Sequence, residues 1–306
     1  MGNDNSYIRF DWAMKHMLRE KSNFEILEGL ISVLLDEEVK IEEILESESN
    51  QESSDDKFNR VDIKAKNSKG HIIIVEVQLT RQLYYLHRIL FGTCKVITEH
   101  INIGEKYDQV KKVYSISILY CEFGQGDDYV YHGVTDFKGI HTGTELVVNT
   151  KENGVIVPHL PREVFPEYYL VRVNSYHKIP TTPLDEWMDY LKTGKVKEDT
   201  RTPGLQRVKE KLRVLSMSEQ ERKAYYRHMD NIMVQNDVLD TARQEGIEEG
   251  RAEGRAEGRA EGRAEGRAEG RAEEAMEIAR TAKSMNMPPE QIAKLTKLPL
   301  DVINKL

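Results

Sequence analysis

Residues 58–78, FNRVDIKAKNSKGHIIIVEVQ, limit the possible folds of this chain more than any other stretch. Two β-type runs flank Asn67, Ser68, Lys69, Gly70 and His71. A glycine closing a three-residue loop suits a type I turn followed by a left-handed residue. Asn67 then opposes His71, and counting back pairs Ala65 with Ile73, Ile63 with Val75 and Val61 with Val77. That face is wholly apolar. The opposite face sets Asp62 against Glu76 and Arg60 against Gln78. A slip of one residue would turn the apolar set to the wrong side, so pattern and turn select one register.

The register raises a chemical question. Directly opposed residues have Cβ atoms about 4.5–5.5 Å apart, and like charges there are destabilising. A hard divalent cation relieves that repulsion, because Mg2+ takes one or two carboxylates, waters and substrate phosphate as ligands. Such a cation activates water and stabilises charge on a phosphoryl group. The same pair also fits a solvated face on which Arg60, Lys64 and Lys66 offset the acids.

Around this hairpin the chain reads as α/β. Apolar positions from Phe10 to Leu34 recur at helical spacing and predict one helix over 10–35. The acidic stretch 36–56 suits an edge strand and a polar loop. From 58 to about 175, β-type runs surround one helix, 81–101. In that helix Leu83, Leu86, Leu90, Cys94, Ile97 and Ile101 form an apolar stripe, which places Cys94 in the core. Arg81, Arg88 and Lys95 fall on the opposite face, where they suit either phosphate contact or plain solvation. Tyr84, Tyr85, Tyr225 and Tyr226 read as packing residues. A short helix follows Pro183, Thr202-Pro203-Gly204 is a candidate domain edge, and 205–245 is helical.

Arg-Ala-Glu-Gly then occurs five times over residues 251–270. A period of four drifts by about 40° per unit around a helix. It stacks Arg on Arg and Glu on Glu, and each glycine costs up to about 1 kcal/mol against alanine. Both a helical stalk with a small-residue stripe and a partly helical spacer fit. Residues 276–306 carry Arg280, Lys283, Lys294, Lys297 and Lys305 against Glu277, Glu290 and Asp301. Three short helices there resemble a helix-turn-helix fragment, or equally a dimerisation cap. The expected division is a core over 1–200, a helical extension over 201–245, the repeat over 246–273 and a small tail over 274–306.

Several classes drop out. No apolar run is long enough for a membrane span, and the first residues, MGNDNSYIRF, lack a secretory apolar region. Two cysteines cannot build a disulfide framework, so a reducing cytoplasm is expected. The net charge of -8 disfavours binding nucleic acid through bulk charge, leaving a local basic surface or a bound cation for that purpose.

Asp62, thirteen intervening residues and Glu76-Val77-Gln78 resemble the Asp…Glu-x-Lys core of the PD-(D/E)xK nuclease superfamily, in particular its recombination-promoting nuclease (Rpn-like) or transposase branch, in which Gln commonly takes the Lys position. FDWAMKHM at 10–17, Arg88, Gly104-Glu105-x-Tyr107, KVYSISIL, the Gly-Arg/Glu repeats and the final PPEQIAKLTKLPLDVINKL extend the resemblance along the chain. Met14 replaces the usual Phe, and Val-Glu-Val-Gln the usual Ile-Glu-Met-Gln. The resemblance implies an α/β fold with a mixed central sheet flanked by helices, a restriction-endonuclease-like core, and a helical C-terminal extension. It implies a metal-dependent DNA endonuclease using Mg2+ or Mn2+, with Asp62, Glu76 and the Val77 carbonyl as ligands and Gln78 in the catalytic Lys position. Asp11 is an auxiliary metal candidate, or a first-turn acid favoured by the helix dipole. Lys64 is a candidate for the charge that Gln78 cannot carry, or a solubilising lysine. Arg81, Arg88 and Lys95 would contact DNA phosphates. A DNA-binding scaffold without turnover and a strand-transferring transposase are the competing functions. The repeat and tail suggest a homo-oligomer, most simply a dimer.

Overall fold

The computed structural model describes residues 7–45, 62–101, 104–152 and 155–306. Two compact units divide the chain, 1–225 and 226–306.

In the first unit the helix expected over 10–35 is two, α1 (Phe10–His16) and α2 (Phe24–Leu35), joined by a 3-10 turn at Lys21–Asn23. The Asn23 side-chain amide donates to the Met17 carbonyl at 2.9 Å. Asn competes in this way with continued helix. Leu18 and Phe24 stay buried across the break, so the apolar periodicity carries no trace of it. There follow β1 (Ile41–Leu45), β2 (Ile63–Asn67), β3 (Ile72–Gln78), α3 (Tyr85–Glu99), β4 (Val113–Leu119), β5 (Val130–Gly133), β6 (Val148–Glu152), β7 (Val155–His159), α4 (Pro161–Val164), β8 (Glu167–Arg172), α5 (Pro183–Thr193) and α6 (Leu205–Lys211), and then α7 (Glu219–Ser284), most of which belongs to the second unit. The main sheet has the order β1-β2-β3-β4-β8-β5, and β6 and β7 form a separate pair. Strands β3, β4 and β8 run parallel and the outer pairings are antiparallel. This is the mixed sheet flanked by helices that the sequence implied.

The hairpin register is the expected one: Ile63 pairs Val75 and Ala65 pairs Ile73. Gly70 has φ 78°, and the Asn67 and His71 backbones bond at 3.0 Å. The Val61 and Arg60 pairings lie outside the described residues. Every residue of β3 is buried, so neither face of this strand is solvated.

Helix α3 corrects the sequence reading. It buries Tyr85, Ile89, Gly92, Thr93 and Val96. Tyr85 and Ile89 pack on Leu119, and Val96 packs on Ile72, Ile74 and Val113. Leu83, Leu86 and Leu90 are exposed, and so is Cys94. The sheet accepts the face where Gly92 and Thr93 keep the helix surface low.

The Thr202-Pro203-Gly204 turn lies inside the first unit. Trp187 of α5 is fully buried and donates from Nε1 to the Pro203 carbonyl at 3.1 Å. Its ring meets Phe10 of α1 edge-on at 6.1 Å, and the Tyr190 hydroxyl donates to the Ile8 carbonyl at 2.7 Å. These aromatic contacts fix α1 against α5.

Helix α5 starts at a capping box in which Thr182 and Asp185 bond each other's backbone amides. Burial alone would raise the Asp185 carboxyl, but hydrogen bonds from Tyr129, Thr182 and Thr181 outweigh it and hold the group at about 2. Its stabilising effect is therefore complete above its ordinary value of 3.8 and is lost as pH falls toward about 2. Asp185→Asn is expected to cost about 1–2 kcal/mol at pH 7 in urea unfolding. The gap should close between pH 4 and pH 2; a gap of constant size would contradict this account.

In the second unit, α7 runs unbroken through the repeat, whose residues are all exposed. The turn after it, α8 (Pro289–Thr296) and α9 (Leu300–Lys305) match the expected tail. Ala279, Ala282, Ile292 and Ile303 form its small core.

Candidate active site

Asp62 sits in a bend just before β2, one step off the ladder. Its carboxylate does what a ladder residue's carbonyl would do: Oδ2 accepts the Val77 backbone N–H at 2.7 Å. That bond aims the Asp62 side chain at the C-terminal end of β3, where Glu76 and Gln78 lie. The Arg19 guanidinium holds the Asp62 carbonyl with two donors, at 2.6 and 3.2 Å. Two N–H groups from one planar fork fix direction as well as distance.

Glu76 is 7% exposed. Helix α3 covers this face of β3 and supplies both partners of the carboxylate. The Tyr85 hydroxyl donates to Oε2 at 3.2 Å, and Arg88 makes an ion pair with Oε1. Burial pushes the Glu76 carboxyl above the usual carboxylate range; Arg88 and Tyr85 oppose that shift, and the charge of Asp62 adds to it. Burial, with Glu76 beside it, pushes the Tyr85 phenol up as well, so Tyr85 remains a donor. Gln78 is buried, and its amide nitrogen donates to the Thr80 carbonyl at 2.6 Å.

These residues line one cleft of about 570 Å³, whose wall is Lys15, His16, Arg19, Asp62, Glu76, Val77, Gln78 and Arg88. Three cations thus surround two carboxylates. A larger cleft of about 960 Å³ lies by α2, α5 and α6. Glu25, Glu28, Asp36, Glu37, Glu38 and Glu210 line it, a poor environment for a phosphate.

Among the described residues no group of three or more His, Cys, Asp or Glu side chains is placed to hold a metal ion. Two carboxylates with a backbone carbonyl between them still suit Mg2+, which binds through one or two carboxylates and keeps several waters. The donor set is all oxygen, and the Glu76 carboxyl, raised by burial and further by the charge of Asp62, is one that a cation would relieve. The residues therefore fit such an ion.

Of the residues named from sequence, the cleft unites Asp62, Glu76, Val77, Gln78 and Arg88. Arg81 is exposed before α3 and Lys95 lies two turns beyond Arg88, and neither lines it. Asp11 is fully buried and bonded to Arg9 at 3.0 Å. Lys64 is 7% exposed and paired with Glu99 at 3.1 Å, so it is neither a surface lysine nor a cleft cation. Tyr85 and Arg19 were not foreseen, and Lys15 and His16 entered only as part of FDWAMKHM, with no role assigned. Lys15 in the last turn of α1 and Arg19 in the turn just after it were the available signal; nothing local marked Tyr85.

A carboxylate pair at the end of a central strand, set in a mixed sheet with helices on it, defines a restriction-endonuclease-like α/β domain. Residues 8–153 match the family model described as PD-(D/E)XK nuclease family transposase, and this part of the chain is a domain of that family. No curated protein and no solved structure matches the chain. The family gives the chain a nuclease or transposase-like class, with DNA as the partner it suggests and divalent metals as its typical cofactors. No helix among the described residues is long and apolar enough to cross a membrane.

Proposed function

We propose that the cleft hydrolyses DNA phosphodiesters as a divalent-metal-dependent endonuclease. The observation that supports this best is the joining of Asp62, Glu76 and Gln78 with three cations in one cleft. Asp62, Glu76 and the Val77 carbonyl would hold Mg2+ or Mn2+, which when bound supplies an activated water and neutralises charge on the phosphoryl oxygens. Arg19 and the Val77 N–H keep Asp62 in place. Tyr85 orients Glu76. Arg88 balances Glu76 in the metal-free protein and contacts phosphate in the loaded one, with Arg81 and Lys95 as outer phosphate contacts. Water adds to phosphorus in line with the leaving ribose oxygen, the P–O bond to that oxygen breaks, the water gives up a proton to solvent, and the ribose oxygen takes one from solvent to leave as a hydroxyl.

Supercoiled-plasmid cleavage tests the reading, with Mg2+, with Mn2+ and with chelator. Cutting that needs metal and vanishes in Asp62→Ala supports it. A dimer, as the repeat suggests, would bring two clefts to one duplex and give linear plasmid, where a monomer gives nicked circles. Joined DNA ends would make the protein a strand-transferring transposase, as the family's description allows. Well-folded protein that binds DNA without cutting under any metal would make it a binding scaffold, with the neutral Gln78 the first cause to examine.

A further inference from the structure

The chemistry proposed above builds negative charge on a phosphoryl group, yet β3 offers that group no cation. Gln78 is neutral and gives one amide hydrogen to the Thr80 carbonyl. The nearby cations are largely committed. Lys64 belongs to Glu99. Arg88 is paired with Glu76 and reaches phosphate only once a cation takes over that carboxylate. Arg19 spends two donors on the Asp62 carbonyl. Lys15 is different: it lines the same cleft, is exposed, and has no ion-pair partner among the described residues.

The position of Lys15 is also well set. It stands in the last turn of α1, where the helix dipole favours a cation. Phe10, one end of that helix, is clamped by Trp187 and Tyr190. The neighbouring His16 ring lies 4.0 Å from that of Trp12. The helix beneath Lys15 is thus held through the rings of Phe10 and Trp12, while its ammonium carries three donors on a flexible stem, the usual form of a phosphate-binding lysine.

We infer that Lys15 contacts the phosphodiester held in the cleft and supplies from α1 the positive charge that Gln78 does not supply from β3. The inference rests on the nuclease reading for its chemistry, though a contact with phosphate stands apart from turnover.

The test uses the full chain in four forms: wild type, Lys15→Ala, Lys15→Arg, and Lys15→Ala combined with Gln78→Lys. Single-turnover plasmid cleavage at saturating DNA is one readout. Binding of a fluorescent duplex in Ca2+, followed across salt concentrations, is the other. Lys15→Ala is expected to cut about 100-fold more slowly, Lys15→Arg to retain much of the rate, and Gln78→Lys to restore at least tenfold of the loss. In Ca2+, the salt dependence should fall by about one unit in slope in Lys15→Ala and return in the double variant. Unchanged cleavage and unchanged binding in Lys15→Ala overturn the inference. So does a binding loss that Gln78→Lys fails to rescue, which would place Lys15 on DNA outside the cleft. If wild type cuts under no metal, the nuclease reading fails, and the binding loss with its rescue still decides the phosphate contact. Lys15 is exposed, so a thermal melt matching wild type is expected of Lys15→Ala and checks its fold.

Discussion

Glu76→Gln is expected to lose cleavage by a factor of about 1,000 or more while keeping, or slightly raising, the thermal midpoint at neutral pH. The two effects have one cause. A buried carboxylate close to another is a good cation ligand because it is costly to leave ionised. Burial already pushes the Glu76 carboxyl up, and Asp62 adds to that, against Arg88 and Tyr85. A group with a raised folded value loses stability for the protein as pH climbs through that value. Gln has the same shape, keeps an acceptor for the Tyr85 hydroxyl and carries no charge to desolvate. Arg88 loses its partner, but its side chain is 38% exposed and can return to water. The difference in midpoint should therefore favour Glu76→Gln increasingly from pH 4 to pH 7. Differential scanning calorimetry beside plasmid cleavage reads both effects. A sharp fall in midpoint would mean that the Arg88 pair holds the fold together, and retained cutting would put the chemistry elsewhere.

The hairpin was readable because turn and pattern are both local. Gly70 fixed the loop, the apolar alternation fixed the register, and together they set Ile63 against Val75 and Ala65 against Ile73. Asp62 and Glu76 came together for the same reason, although Asp62 left the ladder and reached the Val77 amide with its side chain. What covers a face is not local. Helix α3 has two apolar faces, and the stronger stripe, Leu83, Leu86 and Leu90, is the one left exposed. The sheet below selected Tyr85, Ile89 and Val96 instead, a choice made by Leu119, Ile72, Ile74 and Val113. With that rotation Tyr85 and Arg88 reached Glu76, Cys94 moved to the surface, and Lys64 became enclosed beside Glu99. The contribution of α1 to the cleft was hidden likewise, because its packing is decided by Trp187 and Tyr190, far along the chain.

Gly29→Ala carries this difference between local preference and tertiary contact to its largest structural consequence. Gly29 lies in the middle of α2, where alanine ordinarily improves a helix by up to about 1 kcal/mol. Here an added Cβ would stand 2.4 Å from the Pro203 carbonyl oxygen and 2.5 Å from the Gly204 Cα and nitrogen. Those are backbone atoms, and the turn that carries them has little room to retreat. Gly204 holds φ at 80°, with Trp187 and the Ile26 carbonyl against it, and Trp187 is bonded to the Pro203 carbonyl. Forcing α2 away from the turn strains the packing by about 3 kcal/mol, which outweighs the gain in propensity. A net loss of about 2 kcal/mol lowers the midpoint of a unit this size by about 4–8 °C. Trp187 also clamps Phe10, so α1 and its Lys15 should loosen, and cleavage should fall together with stability. Gly258→Ala, in the repeat, is the matched control: nothing lies within 4 Å of its Cβ, so the same substitution should strengthen helix there and leave the midpoint of the first unit alone. Thermal unfolding followed by circular dichroism reads both variants. A rise in midpoint for Gly29→Ala would mean that α2 does not touch the Pro203-Gly204 turn, and the path from that turn through Trp187 to α1 would fall with it.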